Sequence, residues 1–148
     1  MKTNYPISSI LHHKNSAVWT VAPTALVFDA LKFMAEKNIG ALLVVSGGKL
    51  LGLFTERDYA RKVALQGKTS RTTTVLEILE PCVTISPDDS VEDSMRLMID
   101  RRVRHLPVLE NGDLIGIVSI GDLVNWIISA QDAVIEQMEQ YIAGGVTV

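Results

Sequence analysis

Thr55 and Asp58 stand three apart in LFTERDYARKV, and Ser119 and Asp122 stand three apart in IVSIGDLVNWI. A hydroxyl three residues ahead of a carboxylate can do two kinds of work. At a helix start the pair forms a capping box, hydroxyl to backbone N–H and acid back to the cap, worth about 0.5–2 kcal/mol. That box usually takes Glu or Gln at its second place, and both steps here carry Asp. Each step also follows directly on an apolar segment that reads as a buried strand, so its carboxylate lies where strand gives way to helix. Unpaired N–H groups and the positive end of the helix dipole welcome an anion there. A carboxylate can also accept from both hydroxyls of a ribose at once. A helix start for phosphate plus a carboxylate for ribose is a candidate nucleotide site, and the capping reading stands beside it.

The two steps are 64 residues apart, and so is much else. Shifting the chain by 64 lays Val18–Ala64 on Cys82–Ile128 without a gap, and eleven of the 47 pairs are identical, among them Pro23/Pro87, Met34/Met98, Gly52/Gly116 and Asp58/Asp122. Chance at ordinary residue usage gives about three. The chain contains a duplication, which is the first thing to settle about any sequence.

Each copy spells the same elements. TVAP or TISP is a short apolar segment stopped by proline. Val27, Ala30, Leu31 and Met34, like Val91, Ser94, Met95 and Met98, then recur at helical spacing and place one stripe on a core. ALLVV and LPVL read as buried strands, SGGK and ENGD as tight turns, and LLGLF and LIGIV as second strands leading into the helix at Thr55 or Ser119. The expectation is an α/β (α+β) chain of two β-α-β-β-α repeats packed about a pseudo-twofold axis. Repeat 1 spans 7–66, a linker 67–81, the core of repeat 2 82–128, and a C-terminal helix 129–143. The linker's VLEIL is expected to form a short helical turn, with SSILHHK as its N-terminal counterpart. In the last helix Val124, Ile127, Ile128, Gln131, Val134, Ile135, Met138, Tyr141 and Ile142 form one long amphipathic pattern. It reads as a self-association face, the other reading being packing on the chain's own core.

Composition excludes several classes of function. The 148 residues carry 14 Lys and Arg against 17 Asp and Glu, a formal charge of -3, so the basic field that nucleic acid requires is missing. The start MKTNYPISS has no signal-peptide pattern and no apolar run approaches the ~20 residues of a membrane span, so a soluble cytoplasmic protein is expected. The single Cys82 excludes an internal disulfide and sits opposite Val18, as a small buried hydrophobe would. Adjacent His12 and His13 diverge on a helix and have no acid or thiol at metal-ligand spacing, so no metal is expected. Gly47-Gly48 belongs to no phosphate-binding glycine motif, and Trp19 and Trp126 read as core or interface residues. No nucleophile, base and orienting group converge, and the expectation is a protein that is not an enzyme.

The tandem units, with TVAP/TISP, RHLPV and the TERD/SIGD steps, closely resemble a pair of cystathionine-β-synthase (CBS) domains, a Bateman module. The likeness covers Ile7 to about Ile128. TERDYARKVALQGKTS and EQMEQYIAGG are further similar to small stand-alone bacterial members and to organellar plant members of that family. The resemblance implies a regulatory module that binds AMP, ADP, ATP, S-adenosylmethionine or NAD(H) in clefts between the repeats, forms a homodimer, and modulates its own assembly or a partner protein. The plant members extend that to a redox partner such as thioredoxin or to an NAD-linked system. Carried over by position, one cleft would use Thr55 and Asp58 for phosphate side and ribose, with adenine near Val83 and Val103. The other would use Ser119 and Asp122, with adenine near Trp19, Ile39 and Gly40. Arg104 and His105, ahead of Leu106-Pro107, suit phosphate oxygens, where the first copy has Gly40 and Ala41. Arg57 stands where the second copy has Gly121 and would serve a phosphate in its own cleft or one shared across the pair. The Asp122 cleft is the favoured one. The alternative is a structural dimerisation module whose clefts are degenerate and whose aspartates only cap helices.

Overall fold

The structure is a computed structural model and describes residues 5–14 and 18–147. The side chains of His13, Lys14, Val134 and residues 143–147 lie outside the description. The elements run α1 (Ile7–Lys14), β1 (Thr20–Val21), α2 (Val27–Lys37), β2 (Ala41–Ser46) and β3 (Lys49–Thr55). They continue with a single turn α3 (Glu56–Asp58) leading into a π-helix (Tyr59–Ala64), then α4 (Val75–Ile78), α5 (Val91–Arg101), β4 (His105–Glu110), β5 (Asp113–Ser119) and α6 (Ile120–Thr147). This is the expected mixed helix-and-strand pattern written twice, with two departures. The first strand of the second copy shrinks to one parallel bridge, Ile85 to Val108. And the helix after Thr55 turns π-helical, whereas the helix after Ser119 runs on as α-helix for 28 residues.

Two compact units result, Ser16–Ile85 with Leu106–Ile117, and Met1–Asn15 with Ser86–His105 and Val118–Val148. In the first, β1 pairs parallel with β2 and β2 antiparallel with β3. The β2–β3 hairpin closes on Gly47 and Gly48, both at positive φ, the two-residue turn whose twist suits paired strands. Asn111 and Gly112 do the same between β4 and β5. Register slips after Val44, leaving Leu51 as the extra residue of a bulge. Val27, Ala30 and Met34 of α2 bury against Leu42, Val44, Phe54, Val63, Val75 and Ile78. The linker helix α4 is fixed to the start of α2, because Val75 N–H donates to Ala25 O at 2.9 Å and Val27 N–H to Thr73 O at 2.8 Å. Glu77 accepts from Thr74 N–H at 2.6 Å, and that bond holds its carboxyl below the ordinary 4.5.

Gly52 has a reason that its periodicity does not reveal. A Cβ there would lie 2.6 Å from Glu80 O and 2.9 Å from Leu79 Cδ1, so the end of the linker crosses β3 at a distance only glycine permits.

The second unit repeats the linker's device with the N-terminal segment. Ile7 N–H donates to Asp89 O at 2.8 Å and Val91 N–H to Tyr5 O at 2.8 Å, which ties α1 to the start of α5 as α4 is tied to α2. Val91, Ser94 and Met98 are buried on α5, and Leu123 is fully buried on α6. Helices α2 and α5 end alike. Asn38 and Arg102, 64 apart, both sit at φ 55°, and Ile39 and Val103 N–H close the last turn onto Met34 and Met98 O at 3.0 Å. Asn tolerates that left-handed conformation, whereas Arg102 adopts it against its Cβ.

The long apolar pattern of α6 divides in two. Leu123, Trp126, Ile127 and Ala130 are buried or half-buried where α6 packs on α1 and α5, with Tyr5 edge-on to Trp126 at 5.6 Å. Val124, Ile128, Ile135, Met138, Tyr141 and Ile142 are exposed. Among the described side chains, everything from Gln131 to Ile142 faces solvent.

Candidate functional site

Both strand-to-helix steps are reciprocal caps. Asp58 N–H donates to Thr55 Oγ1 at 3.1 Å while Thr55 N–H donates to Asp58 Oδ2 at 2.9 Å. Asp122 N–H donates to Ser119 Oγ at 3.1 Å and Ser119 N–H to Asp122 Oδ2 at 2.8 Å. Each step is clamped once more from the other side. Glu56 N–H reaches Gly40 O at 3.2 Å, and Ile120 N–H reaches Arg104 O at 2.9 Å. The C-cap loop after α2 or α5 is thereby held against the step of its own copy. So the structure brings Gly40 to Thr55, Arg57 and Asp58, and it brings the Arg104–His105 segment to Ser119 and Asp122. All four step side chains are half-buried, as is His105, while Arg57 and Arg104 are exposed.

The surroundings of the two carboxylates differ. Lys62 Nζ lies 3.4 Å from Asp58 Oδ1, 3.3 Å from Glu80 Oε2 and 3.3 Å from Ile78 O. Both oxygens of Asp58 therefore have partners, Oδ2 in the cap and Oδ1 on an ammonium that also grips the linker. Sequence reasoning passed over Lys62, although Asp58 and Lys62 at i and i+4 are the spacing of a helical ion pair. The residue 64 further on is Trp126. The second step therefore has no lysine one turn on.

The remaining expected residues take varied places. Trp19 is half-buried, edge-on to Phe33 at 5.7 Å, with Lys37 Nζ 4.4 Å above its ring. Ile39 packs on the core of its unit and Val83 and Val103 are half-buried. Pro107 is buried inside β4, and its carbonyl accepts from Ile85 N–H at 3.0 Å. Cys82 was expected to be buried and is half-buried; partial burial pushes its thiol above the usual 9.0 and disfavours the thiolate. His12 is exposed, and no group of His, Cys, Asp and Glu suited to a metal occurs among the described residues.

A duplicated unit that ends each copy in the same half-buried carboxylate step defines a paired-repeat protein. The CBS-domain family model matches this chain twice, at residues 7–65 and 72–129, and the chain belongs to that family. It is 41% identical over 125 residues to the mitochondrial CBS domain-containing protein CBSX3 of Arabidopsis thaliana, a match covering 80% of this chain and 61% of that protein. It therefore spans less than two thirds of that relative's length. The structure of a CBS-domain protein from Burkholderia ambifaria MC40-6 superposes with a TM-score of 0.81 at 47% identity, over 86% of this chain and 96% of that one. A hexameric CBS-CP12 protein from bloom-forming cyanobacteria gives 0.72 at 33% identity, over 84% and 72%. Pairs of CBS domains are regulatory modules. None of the helices described is long and apolar enough to cross a membrane.

Proposed function

We propose that this chain is a non-catalytic sensor that binds an adenosyl ligand of the AMP type at its carboxylate steps and regulates a partner, or its own assembly, through that occupancy. Asp122 accepts from the ribose hydroxyls, Ser119 lies on the phosphate side, and Arg104 and His105 neutralise phosphate oxygens. The observation that carries this reading is the clamp from Ile120 N–H to Arg104 O, which holds a guanidinium-bearing and an imidazole-bearing residue beside the Ser119–Asp122 step. The cap bond uses one acceptor site on Asp122 Oδ2, and a carboxylate offers about four, so capping and ribose binding are compatible at one residue. Both steps stand at the start of a helical run, α6 at Ser119 and α3 with its π-helical continuation at Thr55, so each carboxylate lies at the positive end of a helix. The hexamer formed by the cyanobacterial relative supports self-association as the state on which the ligand acts.

The degenerate reading has its own observation at the first step, where Lys62 occupies Asp58 Oδ1. We therefore place the ligand at Asp122 and read the Asp58 step as structural in the resting chain.

The test is a thermal-shift panel with AMP, ADP, ATP, NAD, NADH and S-adenosylmethionine. A ligand that binds only the folded chain adds about 2.7 kcal/mol at 100 times its Kd, which in a chain of this size is a rise of several degrees. The absence of a shift with every member of the panel overturns the proposal and leaves the scaffold reading.

A further inference from the structure

We propose that residues 124–142 of α6 form a parallel, in-register two-stranded coiled coil with the same helix of a second copy. The inference rests on the self-association just proposed and specifies where and how it occurs. Five exposed apolar residues and one exposed glutamine advance by alternate steps of four and three, Val124, Ile128, Gln131, Ile135, Met138, Ile142. Alternating steps of that kind are the heptad of a supercoiled helix pair. The stripe that α6 buries in its own unit ends at Ala130, so the exposed seam is a second face that no described residue covers. Its apolar area continues into Tyr141, 82% exposed, and a helix with that much bare apolar surface marks an interface.

Charge and polarity on the page select the occupant. Between Ile120 and Thr147 there is no Lys or Arg, and the carboxylates are Asp122, Asp132, Glu136 and Glu139. An anionic membrane surface would repel such a helix. With Ile128, Ile135 and Ile142 as the a positions, Asp132 and Glu139 fall at e. In an antiparallel pair e meets e, which sets these acids against each other. In a parallel pair e meets g, here Val134 and Tyr141. The d layer holds Val124, Gln131 and Met138, and its one polar member fixes the alignment. Only when the helices run parallel and in register do the other five layers each meet their equivalent while the Gln131 amide meets an identical amide and exchanges hydrogen bonds with it. A buried polar residue in a seam is the best-attested register device. Ile128, Ile135 and Ile142 supply the β-branched a layers that two-stranded parallel coils carry.

The experiment uses the full chain, without nucleotide. Sedimentation should give a self-associated species, and the exposed-site variant Ile135→Lys with Ile142→Lys should lower its mass while keeping the far-ultraviolet dichroism and the thermal transition of the folded units. In a Cys82→Ala background, Val124→Cys and Met138→Cys should each, separately, yield a disulfide-linked dimer on mild oxidation. Antiparallel helices cannot do both, because positions two heptads apart, about 21 Å, cannot both lie opposite themselves. A monomeric chain overturns this proposal and the self-association behind it. An assembly indifferent to the double substitution, or disulfide formation at only one of the two positions, overturns the parallel seam alone.

Discussion

The Thr55–Asp58 and Ser119–Asp122 steps share two cap bonds and one backbone clamp, yet each lies in different company. In the first, the lysine one turn on closes over Asp58 and ties it to Glu80 and the Ile78 carbonyl, and the helix becomes a π-helix at Tyr59. In the second, the same place holds Trp126, which packs on Tyr5, and the helix runs straight for 28 residues. Duplication thus kept the backbone device and let the side chains around it diverge. The first step is thus bound into the linker of its own chain, and the second has Arg104 and His105 beside it.

The largest way to break the comparison is to remove each aspartate in turn. Asp122→Ala should lose the cap, about 0.5–2 kcal/mol, and in addition the whole ligand-dependent increment, about 2.7 kcal/mol at 100 times Kd. Asp58→Ala should lose its cap and keep the increment. Paired melts with and without AMP read both quantities. Equal loss of the increment in the two variants would erase the distinction.

Next comes the linker that Lys62 grips. Gly52→Ala drives a methyl into Glu80 O, which is backbone and cannot swing aside, so the crossing must open. Overpacking of that kind costs about 1–3 kcal/mol, measurable as a lower urea midpoint. The cost should fall when Glu80 is also replaced by Gly, which loosens the linker where it crosses β3. A Gly52→Ala variant as stable as the parent would mean that the linker is not held there.

A smaller effect with the opposite sign separates the two helix stripes. Ser94 is buried where α2 has Ala30, and its hydroxyl has no hydrogen-bond partner among the described residues. Ser94→Ala should stabilise by about 1 kcal/mol, because an unsatisfied buried hydroxyl disappears with no cavity larger than its oxygen. A destabilised variant would reveal a partner for that oxygen.

How much of this could be read from the chain follows from the range of each interaction. SGGK and ENGD announce their turns because positive φ at Gly48 and Gly112 is a local requirement. The stripes of α2 and α5 are periodic and equally plain. What escapes is set by contacts distant in sequence. Gly52 looks like any strand glycine until Glu80 arrives beside it. TISP resembles TVAP, but only Ile85 finds a strand partner. Arg102 takes a left-handed cap that its residue type does not advertise. The α6 pattern merges two faces because a row of apolar residues does not say which of them will meet α1 and α5. In the candidate site, the steps and the Arg104–His105 segment were visible as repeated or locally clustered polar residues. Lys62 was not, since its role depends on Glu80 and the Ile78 carbonyl as much as on Asp58.

The smallest energetic effect carries the sharpest test of why the copies differ. An ion pair as exposed as Lys62 with Asp58 and Glu80 contributes about 0.2–1 kcal/mol, so Lys62→Met should change stability little, its methylenes still covering the linker. If the ammonium is what keeps Asp58 from a ribose, the substitution returns Oδ1 to solvent and adds an acceptor to the first step. Calorimetric titration with AMP should then rise from one site per chain toward two, the new site being the weaker because it has Gly40 and Ala41 in place of Arg104 and His105. Unchanged stoichiometry would mean that the missing phosphate contacts, and not the lysine, set the two steps apart.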